Sequence, residues 1–522
     1  MMARPALHCD VLVIGGGING AGIARDLAGR GWQVLLCEQD DLARHTSSAS
    51  TKLIHGGLRY LEYGEFGLVR KALQERERLL RSAPHIMAPM RFVLPHDAGM
   101  RPAWLIRLGL WLYDHLAPRA FLPGCERVAL DRSPLGAPLQ PGWRDGFVYS
   151  DGWVDDARLV VLCALDAAER GARILTRTAC EQLVPDGAGW RATLRQRDAS
   201  GQSHAGAVQT VHARLVVNAA GPWAESVLRQ GMGVTGPLRH LRLVKGSHIV
   251  VPRCAGHDHA YLFQGQDRRV VFAIPYEAAY TLIGTTDVEF QGDPAQVRIE
   301  AHEVSYLCDT VSRYLRQPVT PADVCWTYAG VRPLLDDEQG AAAAVTRDYL
   351  LQAERTPAPW LTVWGGKLTT FRVLAEQAAD QIGTLLGATR PAWTRDAVLP
   401  GGDLIASAPG PALAPPQAWA VFEAGLRARY PWLAPEVLQR VGHAYGSRLH
   451  RWLGEASGAA DLGIEVAPGL FEAELRYLMR EEWARSADDV LWRRSKLGLH
   501  YSPAQRQAVA DWLAVQARPS AG

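Results

Sequence analysis

A glycine-rich turn near the N-terminus has the spacing of a dinucleotide-binding site. Gly15, Gly17 and Gly20 directly follow an apolar run, and Glu38 ends the next apolar run. In this pattern the first glycine permits a tight turn, the second lets the backbone approach a pyrophosphate, and the third lets helix and strand pack closely. The N–H groups at the helix start face the diphosphate, and Glu38 can accept hydrogen bonds from a ribose diol. This order of strand, turn, helix, strand and acid favours a nucleotide site over a purely structural turn.

Two further glycine-containing turns, at residues 219–222 and 365–366, have the same strand–turn–helix context. In an open α/β sheet the carboxyl ends of the strands form one edge, and ligands bind there. We therefore expect the three turns to meet at one site. Lys367 directly follows the last turn, where a cation and a helix start could stabilise a reduced, anionic flavin. For any single turn, an ordinary strand-to-helix connection is the alternative.

Polar residues with unusual neighbours supply candidate anion ligands. The hydroxyl-rich stretch 46–52 can bind phosphate groups or flavin edges, although its spacing alone favours a solvated loop with helix capping. Lys52, His55 and Arg59 are flanked by glycine and apolar residues instead of other charges. Arg332 has glycine and proline as near neighbours in a tight apolar turn. An arginine in such a turn commonly binds an anion bidentately, and a structural salt bridge is the alternative.

The bulk properties are those of an ordinary globular protein. A chain of 522 residues is expected to form two or three domains. It has 48% hydrophobic and 21% charged residues, and its formal net charge of +2 gives no reason to expect nucleic acid as a partner. No paired Cys or His spacing predicts a metal site. The eight cysteines are scattered without a CxxC pair, which favours a reducing compartment.

Helix and strand patterns divide the chain into an alternating part and a helical C-terminal part. Helices are predicted at residues 18–31, 68–81, 158–170 and 371–386. Strands of one sheet are predicted at 32–37, 172–175, 190–195, 208–212 and 215–217. Among them, 190–195 and 208–212 are expected to form an antiparallel ribbon. A second sheet is predicted to contain strands at 248–251 and 270–274. His248 alternates into this apolar strand and is expected as a core histidine. After a linker at 400–416, helices are predicted at 417–427, 435–444, 471–485 and from Ser502, which has a capping-box pattern.

The segment 100–116 predicts a helix with a broad apolar face. Tryptophan, leucine and arginine in this arrangement suit a monotopic membrane anchor, and a buried domain-packing helix is an equal alternative. The arginine-rich region at 480–494 is a second membrane candidate, with a solvated or domain-packing face as its alternative. No secretory signal and no apolar run of about 18 residues is found, so we expect a cytoplasmic or membrane-surface protein.

Taken together, these motifs resemble the FAD-dependent, respiratory glycerol-3-phosphate dehydrogenases. The resemblance covers nearly the whole chain, and its motifs are long enough to be specific. It rests on residues 10–15, 46–62, 149–151, 153–159, 245–248, 283–287, 330–333, 365–370 and 484–494.

The resemblance implies oxidation of sn-glycerol 3-phosphate to dihydroxyacetone phosphate, by hydride transfer from C2 to N5 of non-covalently bound FAD. It also implies that electrons pass to ubiquinone or another membrane quinone. The protein would then lie peripherally or monotopically on the inner face of the cytoplasmic membrane, and we expect a homodimer. No metal and no nucleic acid are expected.

The implied fold is α/β, with a Rossmann-type FAD-binding domain interleaved with an antiparallel-sheet substrate domain, as in D-amino-acid and glycine oxidases. A C-terminal helical cap domain completes it. The expected FAD-binding domain comprises residues 1–85, 150–225 and 330–395. The expected substrate domain comprises 86–149 and 226–329, and the cap domain 396–522.

The expected active site combines a base with several cations. His55 is the first candidate for the base, since a neutral imidazole titrates near the working pH, and Arg332 is the second catalytic candidate because it can stabilise a developing alkoxide. The candidate substrate-binding residues are Arg59, Tyr60, His248, Arg332 and Lys367. The candidate cofactor-binding residues are Gly15, Gly17, Asn19, Gly20, Glu38, Thr46, Ser47, Ser48, Ser50, Lys52, Leu53, Gly57, Ala220, Gly221, Gly366, Lys367, Leu368 and Thr369.

Other functions remain open at this level. One is a glycerol-phosphate oxidase that passes electrons to oxygen, and another is a FAD-dependent oxidase of a different anionic substrate, such as an amine oxidase. A flavin-binding protein without turnover is a third. Lys52, Arg59 and Arg332 suit a phosphate better than an amino acid, although a carboxylate would also suit them.

Overall fold

The computed structural model describes residues 5–97, 99–198, 207–236, 239–335, 348–405 and 413–516. These residues form two large β-sheets and a C-terminal group of helices. In chain order, the strands are β1 (Leu7–Ile14), β2 (Val34–Cys37), β3 (Leu53–Ile54), β4 (Met87–His96), β5 (Glu126–Ala129), β6 (Asp145–Val154), β7 (Arg173–Leu175), β8 (Thr178–Asp186), β9 (Gly189–Gln196), β10 (Val208–Asn218), β11 (Leu241–Pro252), β12 (Ala260–Gln264), β13 (Val270–Tyr276), β14 (Tyr280–Gly284), β15 (Val288–Glu289), β16 (Trp326–Leu335), β17 (Leu350–Glu354), β18 (Trp360–Trp364), β19 (Glu465–Ala467) and β20 (Leu470–Phe471). The helices are α1 (Ile18–Gly29), α2 (Phe66–Ser82), α3 (Ala103–His115), α4 (Asp156–Glu169), α5 (Ala224–Ser226), α6 (Ala301–Ser312), α7 (Phe371–Leu386), α8 (Pro415–Arg429), α9 (Pro435–Tyr445), α10 (His450–Leu453), α11 (Glu472–Glu481), α12 (Leu497–His500) and α13 (Pro503–Gln516).

The first sheet has a parallel centre in the order β18-β10-β1-β2-β7. β17 adds an antiparallel edge, and β8 and β9 extend from β10 as an antiparallel ribbon. Helix α1 packs against α4 and α7, and the three share one apolar core. β1 ends in a continuous buried apolar run, as expected where both faces of a parallel sheet are covered. The predicted Rossmann-type arrangement and the predicted ribbon are therefore confirmed.

The second sheet is antiparallel except for the pair β4 and β12. Its order is β15-β11-β14-β13-β12-β4-β6-β3, with β16 paired to β11 and β5 paired to β6. Helix α6 packs against β11, β12 and β13. Strands of the two sheets alternate along the chain, so the two units are interleaved, as the fold-class prediction states.

Two of the expected domain boundaries fall inside strands of the second sheet. Residue 150 lies in β6, which pairs with β4 from Asp145 to Val154. Residue 330 lies in β16, which pairs with β11 over its full length. Leu53 and Ile54, within the first expected segment, also join this sheet as β3. The difference arises because strand-to-strand hydrogen bonds, which a local pattern does not show, decide the sheet to which a residue belongs.

The helix predictions agree with the observed elements to within a few residues, except that the predicted helix at 471–485 ends early, at Glu481. The predicted capping box at the last helix is present: Ser502 N–H donates to Gln505 Oε1, and Gln505 N–H donates to Ser502 Oγ. In the expected linker 400–416, residues 406–412 lie outside the described residues, and α8 begins within the linker at Pro415. The predicted helical C-terminal domain is confirmed, with its own apolar core.

Buried ion pairs join the C-terminal part of the chain to the loop after β2 and to helix α4. The guanidinium of Arg494, which is 0% exposed, donates to both carboxylate oxygens of Asp41 at 2.5 and 2.8 Å. Arg493 donates to the same carboxylate at 2.6 Å, and Arg158 of α4 is paired with Glu482. Arg493 and Arg494 thus form a domain-packing face, and the membrane interpretation is wrong for these two residues.

Helix α3 occupies the segment that was expected to be either a membrane anchor or a buried packing helix. Only two of its residues, Leu110 and Tyr113, are buried. Its opposite face carries four exposed large apolar residues: Trp104, Leu105, Leu108 and Trp111. Among the described residues, no helix combines the length and apolar character that a membrane span requires. The structure therefore leaves a broad apolar helix face uncovered in the single chain.

Candidate active site

The three glycine turns meet at one edge of the first sheet. Ile14 of β1 lies beside Asn218 of β10, and Asn218 lies beside Thr362 of β18, so the three strands end together. Asn19 Nδ2 donates to the carbonyl oxygen of Gly365 at 3.1 Å, which joins the first turn to the last. The expectation that parallel strands would gather these turns is confirmed.

Glycine is required at the first turn for steric reasons. Gly15 has a φ of +109°, and a Cβ at this position would lie 2.5 Å from the carbonyl oxygen of Ala219. A Cβ at Gly20 would lie 1.9 Å from the carbonyl oxygen of Gly15. The turn can therefore pass between strand and helix only when these side chains are absent.

Glu38 closes the nucleotide edge of the site. Its Oε2 accepts a hydrogen bond from Gly16 N–H at 2.6 Å, and its Oε1 accepts one from Asp40 N–H at 2.8 Å. Burial raises the pKa of this carboxyl, although both hydrogen bonds and His45 favour the charged form. Glu38 lines the cavity beside His45, whose Nε2 lies 2.8 Å from Asp40 Oδ2, and its role as a ribose acceptor stays a prediction.

A cavity of about 470 Å³ runs along this edge. The expected cofactor residues in its lining are Gly15, Gly17, Asn19, Glu38, Thr46, Ser47, Ala220, Gly221 and Gly366. The sequence interpretation missed other lining residues, among them His45, Thr178, Arg197, Trp223 and Gln230. Trp223 follows the second turn, and His45 precedes the hydroxyl-rich stretch. Their positions beside these motifs could have indicated that both residues line the cavity. Thr178, Arg197 and Gln230 carried no local signal.

The residues at the first turn fit a dinucleotide pyrophosphate. Gly17 is the N-cap of α1 and provides no capping side chain, so the helix start is open to an anion. Ile18 N–H donates to Ser47 Oγ at 3.0 Å. The buried Oδ1 of Asn19 has no hydrogen-bond partner among the residues described. An open helix start and a glycine-lined cavity together form a cradle for a bound phosphate ligand, and Asn19 Oδ1 can accept a hydrogen bond from a hydroxyl group of that ligand.

The hydroxyl-rich stretch 46–52 is anchored and does not form a solvated loop. Lys52 Nζ donates to Asp156 Oδ1 at 2.7 Å, and both side chains are buried. Ser50 Oγ donates to the other oxygen of this carboxylate at 2.7 Å. Ser48 contributes its carbonyl oxygen to Lys52. These contacts indicate that Ser48, Ser50 and Lys52 shape the loop, while Thr46 and Ser47 face the cavity.

A second group of expected residues lies on the turn after β3. His55 N–H donates to Thr369 Oγ1 at 3.3 Å, which connects this turn to the segment after β18. Gly57 has a φ of +76°, and a Cβ there would lie 2.3 Å from the ring of Tyr60. Lys367 Nζ lies 4.2 Å from the centre of the same ring, a cation–π contact.

The two expected anion-binding arginines differ in their partners. Arg332 donates to Asp287 Oδ1 and to Thr285 Oγ1, each at 2.9 Å, so it takes part in a half-exposed salt bridge. Gly246 makes room for this guanidinium, because a Cβ there would lie 2.4 Å from it. Arg59 is half-buried and has no ion pair or side-chain hydrogen bond within the described part of the chain. Its five donors are therefore available to an anion.

The buried His248 and the half-buried His55 both have lowered pKa values near these cations. Burial holds the pKa of His248 well below 6.5, and Arg332 and Lys52 lower it further. The His248 ring stacks on Tyr328, its Nε2 lies 3.0 Å from Thr51 Oγ1, and its buried Nδ1 has no hydrogen-bond partner among the described residues. Burial also lowers the pKa of His55.

Comparisons with known proteins assign this arrangement to a family. The model of the FAD dependent oxidoreductase family matches residues 10–372, and the model of the C-terminal domain of alpha-glycerophosphate oxidase matches residues 392–519. A glycerol-3-phosphate dehydrogenase of Pseudomonas aeruginosa is 49% identical over 506 residues, which covers 97% of this chain and 94% of the relative. The chain belongs to the family of FAD-dependent glycerol-3-phosphate dehydrogenases.

Two further relatives of this chain bear on its substrate and its cofactor. A D-erythritol 1-phosphate dehydrogenase of Brucella abortus is 48% identical and covers 98% of both chains. The crystal structure of a glycerol-3-phosphate dehydrogenase from Bacillus halodurans complexed with FAD has a TM-score of 0.76 at 27% identity, and covers 98% of this chain and 90% of that one. The predicted family and its cofactor, FAD, are thereby confirmed.

We expect Gly15→Ala to abolish FAD retention, because the new Cβ would overlap the carbonyl oxygen of Ala219 and displace the first turn. The measurement is the flavin-to-protein absorbance ratio of the purified variant. Gly142→Ala is a matched control, since its φ of +116° gives similar backbone strain with no atom within 4 Å. Equal flavin content in both variants would contradict this explanation of the turn.

Proposed function

We propose that this protein oxidises sn-glycerol 3-phosphate to dihydroxyacetone phosphate and passes the electrons to a membrane quinone. The observation that carries the proposal is the combination of cations and histidines with lowered pKa values on the turns after β3 and β18 and on the paired strands β11 and β16. The relatives named glycerol-3-phosphate dehydrogenase support the choice of substrate. Non-covalent FAD binding and a homodimer are further parts of the proposal.

The cations suit a phosphate dianion. Arg59 offers a guanidinium that has no ion pair among the described residues, while Lys367, over the ring of Tyr60, offers a compact point charge. Arg332 is partly neutralised by Asp287, so it suits a weaker or transient charge, such as a hydroxyl oxygen that becomes an alkoxide. We therefore assign the phosphate to Arg59 and Lys367, and the reacting oxygen to Arg332.

The proton of the reacting hydroxyl requires an acceptor. His55 is neutral at pH 7, since burial lowers its pKa, and it lies on the same turn as Arg59. The buried His248 has no hydrogen-bond partner for its Nδ1 among the described residues, so we assign this atom a hydrogen bond to the substrate. When bound, FAD supplies the hydride acceptor, at N5, and the route by which electrons reach the quinone.

A second substrate deserves direct comparison. The Brucella relative, named for D-erythritol 1-phosphate, matches this chain as closely as the glycerol-3-phosphate relative does, at 48% against 49% identity. Both substrates carry a phosphate ester and a secondary alcohol, so the cations would serve either one. Oxygen is an alternative acceptor, because the C-terminal domain matches that of alpha-glycerophosphate oxidase.

The apolar face of α3 supports a membrane-surface location. Trp104, Leu108 and Trp111 are 46–68% exposed, on a helix whose length rules out a span. Arg101 and Arg107 lie in the same segment, where they would favour anionic headgroups. Aromatic and aliphatic side chains flanked by arginine are typical of helices that lie in the interface of a bilayer.

Anaerobic flavin bleaching tests the reaction itself. We expect the oxidised flavin absorbance to disappear on addition of sn-glycerol 3-phosphate. It should persist with glycerol, because glycerol has no phosphate group for the cations to bind. D-Erythritol 1-phosphate, run in parallel, decides between the two substrates. Reduction of a quinone analogue without peroxide under air supports the dehydrogenase, and stoichiometric peroxide would identify an oxidase. Flavin that no polyol phosphate bleaches would overturn the proposal.

The pH dependence tests the role of His55. A base must be neutral, and burial, Lys367 and Arg76 lower the pKa of His55 below 6.5, whereas Asp151 opposes this. We expect kcat/KM to be constant near pH 7 and to fall on acidification, with its inflection below 6.5. His55→Gln should lower the rate of flavin reduction by about 100-fold and remove this inflection. Normal reduction by the variant at every pH would exclude His55 as the base.

Vesicle sedimentation tests the membrane surface. Replacing both Trp104 and Trp111 by Glu should weaken binding to phosphatidylglycerol vesicles by about 100-fold, given about 1.5 kcal/mol or more for each large side chain buried. Ile464→Glu, at an exposed position of the C-terminal domain, is the control and should bind normally. Undiminished binding by the double variant would exclude α3 as the contact surface.

A further inference from the structure

A buried hydrogen-bond network lies beneath the turn that carries His55. Tyr113 of α3 accepts a hydrogen bond from Gly56 N–H at 2.8 Å and donates to the carboxylate of Asp151, whose oxygens lie at 2.7 and 2.9 Å. Arg76 of α2 donates to the same carboxylate at 2.8 Å. Tyr113, Asp151 and Arg76 are each no more than 3% exposed. Two helices and a strand therefore converge on one peptide N–H.

Gly56 is the residue that permits this contact. A Cβ at Gly56 would lie 2.6 Å from the hydroxyl oxygen of Tyr113 and 2.4 Å from a methyl group of Leu73. Burial, together with Asp151, raises the pKa of Tyr113 well above 10, so the phenol keeps its proton. The hydroxyl can then donate to Asp151 and accept from Gly56 at the same time. The hydroxyl group of Tyr113 thus uses both its donor and an acceptor site to hold the turn.

The turn is held on both sides. His55 N–H donates to Thr369 in the segment after β18, whereas Gly56 N–H donates to Tyr113 and, at 3.3 Å, to Asp151 Oδ1. Consecutive peptide groups are thereby fixed by two different elements. Of the residues that the proposed function uses, His55 is one of the two tethered residues, and Arg59 follows Gly56 by three residues.

We propose that Tyr113 and Asp151 are positioning residues for the His55–Arg59 turn. The inference rests on the proposed function for the roles of His55 and Arg59, whereas the tether itself is a property of the fold. Neither Tyr113 nor Asp151 needs to touch the substrate, because both act through the peptide N–H of Gly56. Active-site geometry of this kind is sensitive, since a displacement of about 1 Å can reduce a rate by about 100-fold.

Asp151 has a second effect that Tyr113 does not share. Its negative charge raises the pKa of His55, against the lowering by burial, Lys367 and Arg76. Removing the charge should move the acid limb of kcat/KM to lower pH, while removing the Tyr113 hydroxyl leaves the charge in place. The two substitutions therefore have different signatures, which a general loss of stability would not produce.

Tyr113→Phe is the first test, because it removes one oxygen atom and preserves the ring. We expect kcat/KM to fall by about tenfold or more, with unchanged FAD content and unfolding midpoint. Tyr149→Phe is the matched control: this buried ring packs edge-on to Tyr113, but its hydroxyl makes no hydrogen bond with the residues described. Wild-type kcat/KM in Tyr113→Phe would overturn the inference.

Asp151→Asn and Asp151→Glu provide the second test. The asparagine variant should move the acid limb to lower pH, and the glutamate variant should restore it. An acid limb that the asparagine variant leaves in place would overturn the role of Asp151.

Amide hydrogen exchange of residues 53–60 supplies a readout that does not depend on substrate. We expect exchange at Gly56 to accelerate by about tenfold in Tyr113→Phe holoenzyme and to remain unchanged in Tyr149→Phe. Unchanged exchange in Tyr113→Phe would refute the tether, whatever reaction the enzyme performs. If wild-type flavin is not bleached by any polyol phosphate but exchange accelerates as expected, the proposed function fails and the tether stands.

Discussion

The in-register parallel pairing of β1, β10 and β18 is the constraint on which the rest of the structure depends. It places Ile14, Asn218 and Thr362 side by side, although more than 140 residues separate each from the next. Parallel neighbours end at the same edge, so the turn that follows each strand must face the same space. The cradle for FAD and the turn that carries Lys367 are consequences of this pairing, whereas Arg59 follows β3 and Arg332 lies in β16, both in the second sheet. No single turn forms the site alone.

Buried charges secure the loops around that edge. Lys52 is paired with Asp156 at the start of α4, and Arg494 of the C-terminal segment is paired with Asp41, three residues after Glu38. A buried charge is tolerated only when a partner and hydrogen bonds replace its water. Each pair therefore specifies which distant segment must lie against the loop. The C-terminal helices thereby contribute to the nucleotide side of the site without lining its cavity.

The chemistry of the site follows from half-buried cations that lie close to imidazoles with lowered pKa values. Arg59 and Arg332 remain within reach of solvent, whereas burial keeps His248 neutral and lowers the pKa of His55. Lys367, one of the two cations assigned to the phosphate, also disfavours a charged His55 imidazole. Substrate binding and a neutral base are thus supported by one electrostatic arrangement, and Asp151 limits how far the pKa of His55 is lowered.

The sequence by itself determined the elements whose signals are local. The glycine spacing at Gly15–Gly20, the acid at Glu38, the capping box at Ser502 and the helical C-terminal part are each contained in a short window, because turn geometry, capping and periodicity depend on near neighbours. The family resemblance added the substrate class and the cofactor.

Only the tertiary structure decided which side chains are engaged in ion pairs and hydrogen bonds with distant residues. Lys52 was expected at the cofactor and is bound to Asp156, 104 residues away, while Tyr113 had no recognisable motif and holds Gly56. It also decided that 145–154 and 326–335 belong to the second sheet, and that the apolar face of α3 is exposed. These outcomes depend on long-range pairing and packing, which local residue patterns do not encode.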